Sequence, residues 1–109
     1  MAPDNRREKI EAMLAEQPDD TFLRYSLAME LQKEGRHQES LDRFRDLMVD
    51  EPAYVPAFFM SAKQLVELGK IAEARAALRE GIDEARRQGD HHAASEMSEL
   101  LTTLGHAQG

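Results

Sequence analysis

Residues 28–35, Ala28-Met29-Glu30-Leu31-Gln32-Lys33-Glu34-Gly35, are answered by residues 62–69, Ala62-Lys63-Gln64-Leu65-Val66-Glu67-Leu68-Gly69. Alanine, leucine and glycine return at an interval of 34 residues. The same interval carries Pro18 to Pro52, Phe44 to Leu78 and Met48 to Ile82. A fixed period of this length marks a helical-repeat architecture, in which each unit buries its apolar face against the next. Such a stack offers an extended surface, so the pattern points to binding rather than to a catalytic pocket.

To either side of this stretch the periodicity stays helical, and no alternating Val/Ile/Thr run competes as a strand. The pattern predicts helices over about 5–16, 20–34, 38–50, 55–68, 71–87 and 91–104. Pro18 ends the first, and Asp19 or Asp20 caps the second. Gly35 and Gly69 stand where a left-handed residue terminates a helix before a tight reversal. Pro52 closes the third helix, and Pro56 suits the first turn of the fourth. Short loops force neighbours in sequence to pack antiparallel, which makes a stack of helical hairpins.

With 109 residues the chain is read as one domain, and its 41% hydrophobic and 32% charged content fits a folded protein. The formal charge of −7 disfavours nucleic acid and anionic membrane surfaces, which need clustered Lys and Arg. Arg6-Arg7 and Arg86-Arg87 are the adjacent basic pairs, and acidic residues surround both. The absence of cysteine removes thiol catalysis, disulfides and thiolate metal sites. No apolar run is long enough for a signal peptide or membrane span, so the chain reads as cytoplasmic. Arginine in excess of lysine, with abundant alanine, leans towards a bacterial source.

These residues resemble the tetratricopeptide repeat family, whose unit is helix A, a tight turn and helix B. A first repeat over 21–54 carries Leu27-Ala28, Leu31, Gly35, Ser40, Phe44, Leu47 and Pro52 at the signature positions. A second over 55–88 carries Phe58, Ala62, Leu65, Gly69, Ala74, Leu78 and Ile82. Arg24, His37 and Arg86 depart from the pattern, standing where Trp or Leu, Tyr and Pro are common. Ile10, Met13, Leu14 and Pro18 repeat the phase of Phe44, Leu47, Met48 and Pro52, so the first helix resembles a helix B without its partner. Ala94, Met97, Ser98 and Leu101 reproduce the A-helix pattern after a two-residue insertion. The resemblance implies an all-α, right-handed stack of antiparallel hairpins with about six helices. Its parts are a capping helix over 5–18, the two repeats, a capping helix over 90–105 and a tail over 106–109.

Each A helix carries a second apolar stripe besides the one that faces the core. In the first repeat it comprises Phe22, Tyr25 and Met29, with Gln32 one turn on; in the second, Phe59, Lys63 and Val66. In the family these positions line the concave groove, so the resemblance implies a protein or peptide partner held there. Aromatic and methionine side chains suit an apolar or helical peptide. Packing within the stack explains Phe22 equally well, and the groove can instead be covered by the chain's own C-terminal helix or by a second copy. That alternative makes the protein a self-associating homo-oligomer. Some family members clamp a C-terminal carboxylate with Lys, Asn and Arg, but here those places hold Tyr25, Met29 and Met60, and Lys63 is the cation left.

Enzyme readings find little support. His91 and His92 are adjacent on a helix and point about 100° apart, which does not suit shared metal ligation. Glu34 and His37 mimic a Glu-x-x-His spacing but straddle the Gly35 turn. No Gly-rich phosphate loop follows a strand, and no Ser/His/Asp set stands out. The sequence calls for no catalytic residues, no metal and no cofactor.

Overall fold

A computed structural model describes residues 5–108 of the chain. Among them are six helices and no strand: α1 (Arg6–Glu16), α2 (Thr21–Lys33), α3 (His37–Met48), α4 (Val55–Glu67), α5 (Ile71–Arg87) and α6 (His91–Gln108). Helices α1, α2 and α6 start where side chains satisfy free amides of the first turn, whereas α3, α4 and α5 have no side-chain cap. Asn5 accepts from Glu8 N at 3.0 Å, Asp20 from Leu23 N at 2.9 Å, and Asp90 from Ala93 N at 3.1 Å. Gly35 and Gly69 adopt φ of 79° and 78°, and the following amides close back on Leu31 O at 2.9 Å and Leu65 O at 2.8 Å. These are the helix-terminating reversals expected there.

The C-terminal part departs from the expected pattern in two ways. Gly89, with φ of 80°, makes a third reversal of the same kind, and Asp90 N bonds Ala85 O at 2.8 Å. Helix α6 therefore folds tightly back on α5, as α3 does on α2 and α5 on α4. It also runs on to Gln108, so residues 106–108 are helical rather than a tail; Gly109 lies outside the described residues.

The molecule measures 49 × 29 × 18 Å, and its thinnest dimension matches two layers of helices. Its core runs along the stack as successive clusters. Ile10, Leu27 and Leu31 join α1 to α2; Ala28, Phe44, Leu47 and Ala57 join α2, α3 and α4. A larger cluster around Phe58, Leu78, Ile82 and Met97 joins α4, α5 and α6. Ala28, Ala57, Ala62 and Ala74 are fully buried, and their small side chains let neighbouring helices approach closely.

A polar clasp recurs at one register of the repeat. Between α3 and α4, Ser40 Oγ donates to Ala28 O at 2.7 Å and lies 3.2 Å from Gln64 Oε1. Gln64 Nε2 in turn lies 2.9 Å from His37 Nδ1. This network accounts for a fully buried glutamine and for the polar histidine in a position where the family favours Tyr. One repeat earlier, the equivalent pair of α1 and α2 is ionic: Arg6 Nε meets Glu30 at 3.0 Å, and Lys33 joins at 3.2 Å.

Burial works against ionisation of Glu30, but the hydrogen bonds and charges of Arg6 and Lys33 outweigh it, and its pKa is lowered. A carboxylate with a lowered folded pKa contributes stability above its unfolded value and loses it as pH falls through the folded one. Glu30→Gln is therefore expected to cost about 1 kcal/mol at neutral pH, because both cations are largely exposed. Urea midpoints of the two proteins measured from pH 7 downwards are expected to converge below the ordinary glutamate value of 4.5.

Candidate functional site

The residues expected to line the concave groove lie on α2 and α4, and the repeat interval aligns Tyr25 with Phe59, Met29 with Lys63 and Gln32 with Val66. With the two-residue insertion included, the same positions on α6 are Ser95, Glu99 and Thr102, which line a shallow cleft together with Ser98 and Thr103. This face therefore changes along the stack from aromatic and aliphatic to hydroxyl and carboxylate.

Its apolar residues divide between two seams. Tyr25 and Met29 are half-buried against the cluster that joins α2, α3 and α4, close to Met60. The Tyr25 ring lies 5.9 Å from that of Phe44 and 5.2 Å from that of Tyr54, in tilted and edge-on contacts that suit aromatic quadrupoles. Burial, with a smaller contribution from Tyr54, pushes the Tyr25 phenol pKa up, so the hydroxyl stays neutral. Phe59 and Val66 are half-buried against the α4–α5–α6 core. Lys63 is exposed and sets its Nζ 4.4 Å from the centre of the Phe59 ring, a cation–π contact of about 0.5–1 kcal/mol. Gln32 is half-buried. Phe22 belongs to no core cluster and is 69% exposed, so packing under α1 does not explain it.

The structure thus brings Tyr25 to Met29, and Phe59 to Lys63 and Val66, while Phe22 stands at the free end of α2. Helix α6 packs on α5 and reaches α4 but makes no extensive contact with α2. Arg24, out of pattern in the sequence, forms a bidentate pair with Asp50 at 2.7 and 3.3 Å. It ties α2 to the loop before α4, and Asp50 raises the guanidinium pKa.

The helical stack is matched by proteins of known sequence and structure. The TPR repeat-containing protein PA0015 of Pseudomonas aeruginosa is 28% identical over 101 residues, covering 93% of this chain and 96% of that protein. A tetratricopeptide repeat domain protein from Salinibacter ruber, solved by NMR, superposes with a TM-score of 0.74 at 29% identity. That match covers 80% of this chain and 88% of the other. The chain is a small tetratricopeptide-repeat-like protein. The solution structure of protein BPP2914 from Bordetella parapertussis has a TM-score of 0.78 at 29% identity, over 93% of this TPR-like chain and 88% of that one. No protein-family model matches.

In the register expected from the sequence, α2, α4 and α6 correspond to A helices and α1, α3 and α5 to B helices. Among the described residues, no group of three or more His, Cys, Asp or Glu side chains gathers to hold a metal. Glu34 pairs with Arg7 at 2.9 Å and His37 with Gln64, so the Glu-x-x-His spacing brings no shared site. His91 and His92 are exposed, and His92 lies 3.4 Å from Glu96. No helix among the described residues is long and apolar enough to cross a membrane.

Sequence reasoning missed the hydroxyl and carboxylate positions of α6, which the two-residue shift of the repeat would have located. It also missed clefts between the B helices, for which it held no signal, since they depend on how far apart those helices stand.

Proposed function

We propose that this TPR-like protein is a non-catalytic binding module that holds a peptide or helix of a protein partner against its A-helix face. The fold supports the coarser reading, because TPR-like stacks generally mediate protein–protein interaction. The observation that carries the finer one is Phe22. A phenylalanine exposed to 69% on the same helix as half-buried Tyr25 and Met29 offers an anchor that the core does not use. Phe59, Lys63, Val66 and Gln32 extend this surface across α4 and along α2, and Ser95, Glu99 and Thr102 supply a polar end. The partner therefore carries apolar side chains opposite α2 and α4. The rigid scaffold lowers the ordering cost of binding. A cytoplasmic setting agrees with the cysteine-free sequence.

Tyr25 and Phe59 also support the core, so the test uses exposed positions. Phe22→Ser combined with Lys63→Glu is expected to keep the helical signal and melting temperature while losing at least about tenfold in affinity for partners recovered by affinity capture. Undiminished capture by the folded double variant would sink the A-face assignment. Light scattering over a range of concentrations addresses the second-copy alternative: a dimer abolished by the same two substitutions would assign this face to self-association.

A further inference from the structure

The opposite layer contains a groove that the repeat pattern did not announce. Helices α3 and α5 make no extensive contact with each other, although both pack on α4. Ala76 and Ala77 of α5 draw its surface back, and the space between is a cleft of 260 Å³ floored by Leu41, Met48 and Leu65. It continues into a second cleft of 440 Å³ that shares Arg45, Met48 and Glu80 and reaches Val49 and Phe58. Met48 is half-buried, and Val49 is 75% exposed. One repeat earlier a related cleft of 270 Å³ lies between α1 and α3, over Leu14 and Leu27, but its rim carries Arg24 and Arg43.

The walls of the α3–α5 groove differ in charge. On the α5 side, Glu73, Glu80 and Asp83 border it and outnumber Lys70, just before the helix, and Arg87, at its end; on α3, Arg45 borders it. Glu84 also borders it but pairs with Arg87 on its own helix. Glu73 and Glu80 are exposed and stand seven residues apart, so they face the same way about 10 Å apart along the axis. An amphipathic helix lying in the groove would set its apolar seam on Met48 and Leu65, with two cations seven residues apart beside these carboxylates.

We infer that this B-helix groove is a second docking surface, and that its occupant is an amphipathic helical segment with Lys or Arg along the edge facing α5. Charge complementarity selects this occupant: the α5 wall is acidic, and the protein as a whole carries −7. The surface is separate from the A-helix face, so both can be occupied together.

The test uses two synthetic peptides of about four helical turns. Both have a leucine seam; one carries lysines seven residues apart on one edge and the other carries glutamates there. The lysine peptide is expected to bind at least about tenfold more tightly, with NMR shifts at Leu41, Met48, Leu65 and Ala77. Glu73→Lys with Glu80→Lys is expected to reverse the preference, and binding of the glutamate peptide then shows that the variant is folded. Arg45→Glu is expected to strengthen the lysine peptide, and Phe22→Ser with Lys63→Glu to leave it unchanged. Equal binding of both peptides, no binding, or shifts on the A-helix face would overturn the inference. So would a peptide-free dimer that closes this groove.

Discussion

Phe44→Ala is expected to remove about 3–5 kcal/mol of stability, the range for deleting a fully buried aromatic side chain. Phe44 is 0% exposed and sits where α2, α3 and α4 meet, against Ala28, Leu47 and Ala57, with the Tyr25 ring tilted against it at 5.9 Å. Alanines on two sides cannot swing in to fill the space, so the cavity stays open. A domain of this size has about 5–15 kcal/mol in total, so the variant loses much of its margin. The loss also reaches the proposed binding face, because Tyr25 rests on Phe44. Urea denaturation followed by circular dichroism checks the magnitude, and a loss under about 1 kcal/mol would mean that this junction does not hold the stack together.

Gly81→Leu is expected to be at least as damaging, for the opposite reason. A Cβ at Gly81 would lie 2.6 Å from Phe58 Cβ and 2.6 Å from Met97 Sδ. The methionine tip can move, but Phe58 Cβ is fixed to the backbone of α4, so the helices must separate. In an exposed helix, glycine to alanine gains about 1 kcal/mol. Here overpacking of about 1–3 kcal/mol outweighs that gain even for alanine, and leucine adds three more carbons to the same gap. Gly81→Ala is expected to lower the melting temperature by several degrees and Gly81→Leu to abolish cooperative melting at ordinary temperatures. A Gly81→Ala protein that melts higher than wild type would show that helix propensity wins and that the close approach of α4, α5 and α6 is unimportant.

These two positions show which parts of the molecule were legible in the sequence. Phe44 was readable because it shares its phase with Leu78, and a periodic apolar position is a core position. Gly35 and Gly69 were readable because one residue type at one interval fixed the same backbone reversal twice. Gly89 makes that reversal again but lies 20 residues after Gly69, off the period, so the repeat did not single it out although the short loop between α5 and α6 was expected. Gly81 was illegible because a glycine inside a helix means nothing until Phe58 and Met97 are known to flank it. Gln64 is similar: its burial makes sense only with Ser40 and His37 beside it.

The proposed binding face was drawn from repeat-equivalent positions, which do not encode its arrangement. Repeat-equivalent positions selected Tyr25 and Phe59 together, yet they sit on successive helices and pack into different seams, each half-used by the core. The exposure of Phe22 depends on whether α1 covers it, which turns on the crossing of two helices rather than on periodicity. The groove between α3 and α5 reflects a distance between elements that no residue pattern encodes directly.

The A-helix face of this TPR-like stack is proposed to receive a protein partner. The most direct test is to titrate the isotope-labelled protein with the partner segment recovered by capture and to map amide shifts residue by residue. Shifts are expected to centre on Phe22, Met29, Gln32, Lys63 and Val66 and to be lost in the Phe22→Ser/Lys63→Glu variant. Shifts confined to the B helices or the connecting loops, with α2 and α4 unaffected, would contradict it.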